Sequence, residues 1–124
     1  MTLRILDEHR AATLEALCEL IVPGSARVGP VTYIDAHLAG LPEPVRAHAI
    51  EAIDALAPHS ESTEALAAAG ITPDFMFIRA LAIEAFYSDF VEPGRDVDGA
   101  WKEIDFNSPL ATRLAKDWSY LGIA

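Results

Sequence analysis

The chain has 124 residues, 52% of them hydrophobic, and a formal net charge of −10. At this length one domain over 1–124 is the simplest organisation, able to bury about two thirds of its unfolded surface. So acidic a balance excludes a nucleic-acid partner and opposes docking on an anionic membrane, because phosphates would be repelled.

The amino-terminal stretch, Met1-Thr-Leu-Arg-Ile-Leu-Asp-Glu-His-Arg10, has no long apolar core, twin arginine or small-residue cleavage site. A cytoplasmic protein without a signal peptide is therefore expected. No run approaches the ~18 apolar residues of a membrane span, so no direct membrane insertion is expected either. A first helix is predicted from Asp7, its N-cap, to Val22, with Leu14, Leu17, Cys18 and Ile21 on one stripe. Pro23 and Gly24 stop it, since proline lacks the amide donor and glycine tolerates left-handed backbone. Cys18 is the only cysteine, which rules out an intrachain disulfide. Its place on the apolar stripe predicts a buried thiol packing as a small hydrophobe.

Residues 24–29 read as a loop, and a second helix is predicted over Val31 to Leu38, with Val31, Ile34, Leu38 and Leu41 on one face. Pro44 suits the first turn of a third helix running to Ala57, with the stripe Val45, Ala49, Ile50, Ile53 and Leu56. After the polar break at residues 58–62, Thr63 is the expected cap of a short alanine-rich helix ending at Gly70. The strongest prediction follows, a helix capped by Thr72 or Asp74 whose apolar face carries Phe75, Ile78, Leu81, Ala82, Ala85, Phe86 and Phe90. Met76, Phe77 and Ile83 extend that face almost all round, which implies either a central core helix or one covered by another protein. Pro93-Gly94 is read as its end, Arg95 to Asn107 as an irregular loop, and Ser108-Pro109 as the start of a final helix carrying Leu110, Leu114 and Trp118. The expected class is all-α: a small irregular domain of about five helices with a long aromatic-rich C-terminal loop and tail.

Groups that carry chemistry are sparse. His9, His37, His48 and His59 are scattered, without the spacings zinc needs. Gly94 to Asp105 aligns loosely with a calcium loop, but glycine stands at its first position and the shorter aspartate at its last. A solvated turn, or acidic residues facing basic groups on a partner, is the expectation there. No nucleophile elbow, P-loop, dinucleotide fingerprint or Cys-x-x-Cys pair occurs, so no catalytic, cofactor-binding or metal residue is assigned. An alternative in which clustered carboxylates near Asp35 or Asp89 do chemistry is the weakest reading.

Aromatic side chains are what remains. Tyr33, Phe86, Tyr87, Phe90, Trp101, Phe106, Trp118 and Tyr120, together with the Pro23-Gly24 turn, are the candidate partner interface. Rings in such places serve either as core or as binding anchors. A domain this small is expected to leave some uncovered, and hence to need a partner.

The segments Leu14-Glu-Ala-Leu-Cys-Glu-Leu-Ile-Val-Pro-Gly-Ser25 and Val31-Thr-Tyr-Ile-Asp-Ala-His-Leu38, followed by Ala85-Phe-Tyr-Ser-Asp-Phe90 and Gly99-Ala-Trp-Lys-Glu-Ile104, resemble the gluconate 2-dehydrogenase subunit 3 family in order and spacing. The resemblance implies a non-catalytic small subunit that binds a large FAD-bearing oxidoreductase of the glucose–methanol–choline type. In that family the large subunit oxidises a sugar or polyol hydroxyl, and the small one supports folding, flavin loading, stability or export. FAD would then reside in the partner and no cofactor in this chain. Exported relatives carry a twin-arginine signal on the small subunit; its absence here implies an intracellular heteromer. The competing reading is a self-associating helical binding or regulatory module with no flavoprotein partner.

Overall fold

The computed structural model describes residues 2–105 and 118–123. Among the described residues six α-helices run in order: α1 (Glu8–Ile21), α2 (Pro30–Ala39), α3 (Glu43–Leu56), α4 (Thr63–Ala69), α5 (Pro73–Tyr87) and α6 (Ala100–Glu103). Single 3-10 turns lie at Ser25–Val28, Ala57–His59 and Ser119–Leu121, and there is no strand among the described residues. The all-α expectation holds.

Local chemistry sets most boundaries. Asp7 caps α1 by accepting the Arg10 amide, and Thr72 caps α5 by accepting that of Phe75. Ser62, not Thr63, caps α4, since its hydroxyl takes the Ala65 amide and leaves Thr63 as the first helical residue. The larger departure is the end of α5. The helix stops at Tyr87 rather than continuing towards Pro93-Gly94, because Asp89 adopts a left-handed backbone (φ 64°) that turns the chain. Phe90 therefore enters the core from a loop and not from a helix face. The stretch read as an irregular loop contains α6. The final helix expected from Ser108, with Leu110 and Leu114, lies outside the described residues, as does Phe106.

The core forms where α5 packs on α2 and α3, with α1 closing one side. Leu14, Leu17, Ile34, Leu38, Ile53, Ile78 and Phe90 are fully enclosed there. A smaller cluster of Val22, Val28, Phe86 and Ala100 sits beside it, against Ile21, Ile83, Val91 and Trp101.

One carboxylate ties the amino-terminal segment to this core. Asp35, only 3% exposed, accepts the amides of Arg4 (2.7 Å), Ile5 (2.9 Å) and Leu6 (2.9 Å). Arg4 in turn donates its guanidinium to the carbonyls of Leu121 (3.2 Å) and Gly122 (2.8 Å), so the two ends of the chain meet over α2. No helix among the described residues is long and apolar enough to cross a membrane.

Candidate partner-binding surface

The Pro-Gly turn is a self-capped helix end. Glu19 reaches forward from the last turn of α1 and accepts the amides of Gly24 (2.6 Å) and Ala26 (3.0 Å). Ser25, fully buried, returns its hydroxyl to the Cys18 carbonyl at 2.9 Å, which satisfies a helix-end acceptor. Gly24 has φ 88°, where an L side chain is strained, and a Cβ there would also press on the Arg27 guanidinium at 2.9 Å. Cys18 is fully buried behind this turn. Burial, with the nearby charges of Glu15 and Glu19, pushes its thiol up to about 12, so it packs as the sequence predicts and holds no reactive thiolate.

Arg27 joins the turn to the distant Gly-Ala-Trp segment. It donates to the Gly24 carbonyl (2.9 Å) and to the Asp98 carbonyl (3.1 Å), and pairs with Glu103 at 2.6 Å. Its guanidinium carbon stands 5.1 Å from the centre of the Phe86 ring, in cation–π range. From the other side, Asp89 Oδ1 accepts the Trp101 amide at 3.1 Å and so caps α6. A Cβ on Gly99 would run into that same carboxylate, which explains why glycine precedes Ala100. The Trp101 indole N–H then donates to the Tyr87 carbonyl at 3.0 Å. The loop after Phe90 is latched as well: Glu92 bonds the Thr32 hydroxyl and the Arg95 guanidinium, and Arg95 reaches the carbonyls of Ala26 and Arg27. Segments that lie far apart in sequence thus converge on one end of the molecule.

The candidate interface residues divide sharply. Tyr33, Phe86 and Phe90 are core residues, buried within this chain, which corrects their reading as surface anchors. Tyr33 and Phe90 meet edge-on at 5.3 Å, and both meet the Trp118 ring in the same way, at 6.5 and 5.4 Å. Burial, helped by the Glu84 charge and Tyr120, raises the Tyr33 phenol to about 12. Trp101 and Trp118 are half-buried, Gly24 is intermediate, and Pro23, Tyr87 and Tyr120 are exposed, Tyr120 by 69%. Asp35 and Asp89, considered as catalytic carboxylates, both serve the backbone.

The sequence reading named Tyr87 as interface and placed Met76 on the widened α5 face, but it missed Ile71 and Ile104 as bare apolar surface. Ile71 is 84% exposed and Ile104 56%, while Met76 and Tyr87 are each 46% exposed. Met76, exposed Ala80, half-buried Ile83 and Tyr87 share one line along α5, directly opposite the core-facing Ile78, Leu81, Ala82 and Ala85. The recurrence at i, i+4, i+7 and i+11 was the available signal, hidden because the opposite face is apolar too. Beside Ile71 lies a shallow groove of about 320 Å³ lined by Leu66, Ala67 and Phe75. No group of three or more His, Cys, Asp or Glu side chains placed to hold a metal occurs among the described residues. His59 donates its Nδ1–H to the Ala65 carbonyl at 3.0 Å, and His48 packs its ring edge-on to Phe77.

Comparison with known proteins finds no matching family model, no matching curated protein and no matching solved structure.

Proposed function

We propose that this chain is a non-catalytic helical subunit that braces a large FAD-dependent dehydrogenase or oxidase acting on the hydroxyl of a sugar, polyol or glycoside. The resemblance to the gluconate 2-dehydrogenase subunit 3 family motivates it. The observation that carries it is the convergence of the resembling segments: the Val22–Ser25 turn, the Phe86–Phe90 stretch and the Gly99–Ile104 stretch are fastened together by Arg27 and Asp89. At that end Pro23, Tyr87 and Ile104 are exposed, and Trp101 is half-exposed with its polar edge already satisfied. A rigid patch of this kind, aromatic and backed by a fixed turn, loses little side-chain entropy on docking. Sugar chemistry, flavin and hydride acceptor belong to the partner in this reading.

Co-expression with a candidate flavoprotein of the glucose–methanol–choline type tests it. The expected result is a yellow complex that co-purifies, with the flavoprotein insoluble or flavin-depleted when expressed alone. A flavoprotein that is equally soluble, loaded and active without this chain overturns the reading. The second reading, self-association without a flavoprotein, is favoured by one separate observation, the apolar outer line of α5.

A further inference from the structure

We propose that the outer line of α5 is a seam through which two copies of this chain pair, with their α5 helices parallel. Met76, Ala80, Ile83 and Tyr87 follow one another at intervals of four, three and four residues. That is the alternation of a two-stranded seam, Met76 and Ile83 at d-type positions and Ala80 and Tyr87 at a-type positions. The line stands opposite the face that fills the main core; Met76, Ala80 and Tyr87 on it are exposed and Ile83 is half-buried beside the smaller cluster, so a second helix can reach the line from solvent.

The flanking charges select both the occupant and its direction. In this register Arg79 falls at a g position and Glu84 at an e position. Parallel helices bring each g residue against the e residue five positions further along the other chain. Arg79 would therefore meet the partner's Glu84, and two-fold symmetry makes the same contact a second time. Antiparallel pairing instead sets g against g and e against e, opposing arginine to arginine and glutamate to glutamate. The opposite signs at residues 79 and 84 thus complement a parallel copy of the same helix.

Both groups are available. Arg79 is exposed and takes part in no hydrogen bond or ion pair among the described residues. That is notable in a chain with 9 lysines and arginines against 19 aspartates and glutamates. Glu84 lies 3.8 Å from His37 Nε2 and its charge reaches Tyr33, but its side chain is 49% exposed. The seam is about 16 Å long at helical rise, so it supports a weak and concentration-dependent dimer. A charge of −10 on each copy opposes association, and about 0.15 M salt, with a Debye length near 8 Å, confines that repulsion.

Sedimentation equilibrium of the full chain alone, across micromolar to millimolar concentration, is the test. The expected result is a reversible monomer–dimer equilibrium that Arg79→Glu weakens about tenfold, as each symmetric attraction becomes a repulsion. Glu84→Arg does the same, and the exchange Arg79→Glu with Glu84→Arg restores the wild-type constant to within about twofold. Both positions are exposed, so circular dichroism and the unfolding midpoint stay unchanged and report that each variant is folded. A chain that stays monomeric throughout overturns the proposal. So does a dimer indifferent to either single reversal, or an exchange as weak as the singles. No flavoprotein enters this experiment, and the co-expression test does not read the seam, so either idea fails without the other.

Discussion

The end of the molecule around the Pro-Gly turn and the outer face of α5 are built on opposite plans. At the turn almost every polar group is paired. Glu19 holds the Gly24 and Ala26 amides, Arg27 spans to Asp98 and Glu103, and Asp89 holds the Trp101 amide. Along outer α5, Met76, Ala80 and Tyr87 face outward and Arg79 has no partner among the described residues. The first plan stores stability in directional bonds made by partly buried groups, where losing one partner strands the other. The second stores less: Ile83 packs beside the smaller cluster and the Tyr87 ring meets Phe86 at 5.0 Å, but the exposed atoms of the line gain only when something else covers them. Substitutions should therefore separate the two regions: costly for folding at the tied sites, silent for folding on the outer face.

The largest effect is expected at Asp35, which belongs to the tied plan although it lies under the amino-terminal segment. Asp35→Ala leaves the amides of Arg4, Ile5 and Leu6 without their acceptor at a site 3% exposed. Unfolding stability should fall by about 3–5 kcal/mol, read from the urea midpoint at unchanged slope. Asp35→Asn keeps one oxygen and should cost less than half of that, about 1–2 kcal/mol. Equal stability in the alanine variant would show that the amino-terminal tie contributes nothing.

Gly99→Ala comes next. Its Cβ meets the Asp89 carboxylate, so either the α6 cap is lost or the left-handed Asp89 must shift. A loss of about 2 kcal/mol is expected, with tryptophan emission shifted to the red as the half-buried Trp101 loosens from the Tyr87 carbonyl. Glu19→Ala follows at about 1–2 kcal/mol, since two amides of the turn lose a charged acceptor that water can partly replace. Thermal scans of the two variants beside wild type rank them; a reversed order would place more of the stability in the turn than in the α6 cap.

How far the residues announced this arrangement depends on how local each signal is. Helix starts at Asp7 and Thr72 were legible because a cap and its amide lie three residues apart. The buried thiol of Cys18 was legible from one stripe. Asp35 was not, because its partners precede it by 29 to 31 residues and nothing in the sequence near Asp35 points to them. Tyr33 on α2 and Phe90 in the loop after α5 are buried against each other and Trp118 by contacts distant in sequence. Phe86 read as a surface anchor because α5 is apolar on both sides, so periodicity alone could not tell its inward from its outward face. The same ambiguity concealed Ala80 as part of an outward line. Asp89 ended α5 early through a backbone conformation that aspartate tolerates but does not advertise.

The smallest expected effect is also the sharpest for the outer face. Met76→Gln together with Tyr87→Gln removes two side chains that are each 46% exposed and stand on the line opposite the core. Neither creates a cavity nor strands a buried polar group, and both remain good residues for a helix surface. Measured at concentrations too low for pairing, stability should stay within about 0.5 kcal/mol of wild type. At high concentration the same variant should lose self-association, because the seam's d-type and a-type ends are gone. A loss of stability comparable to that of Gly99→Ala would mean these side chains already do their packing inside one chain. The outer line of α5 would then be core in disguise, leaving no free apolar surface there for a second copy to cover.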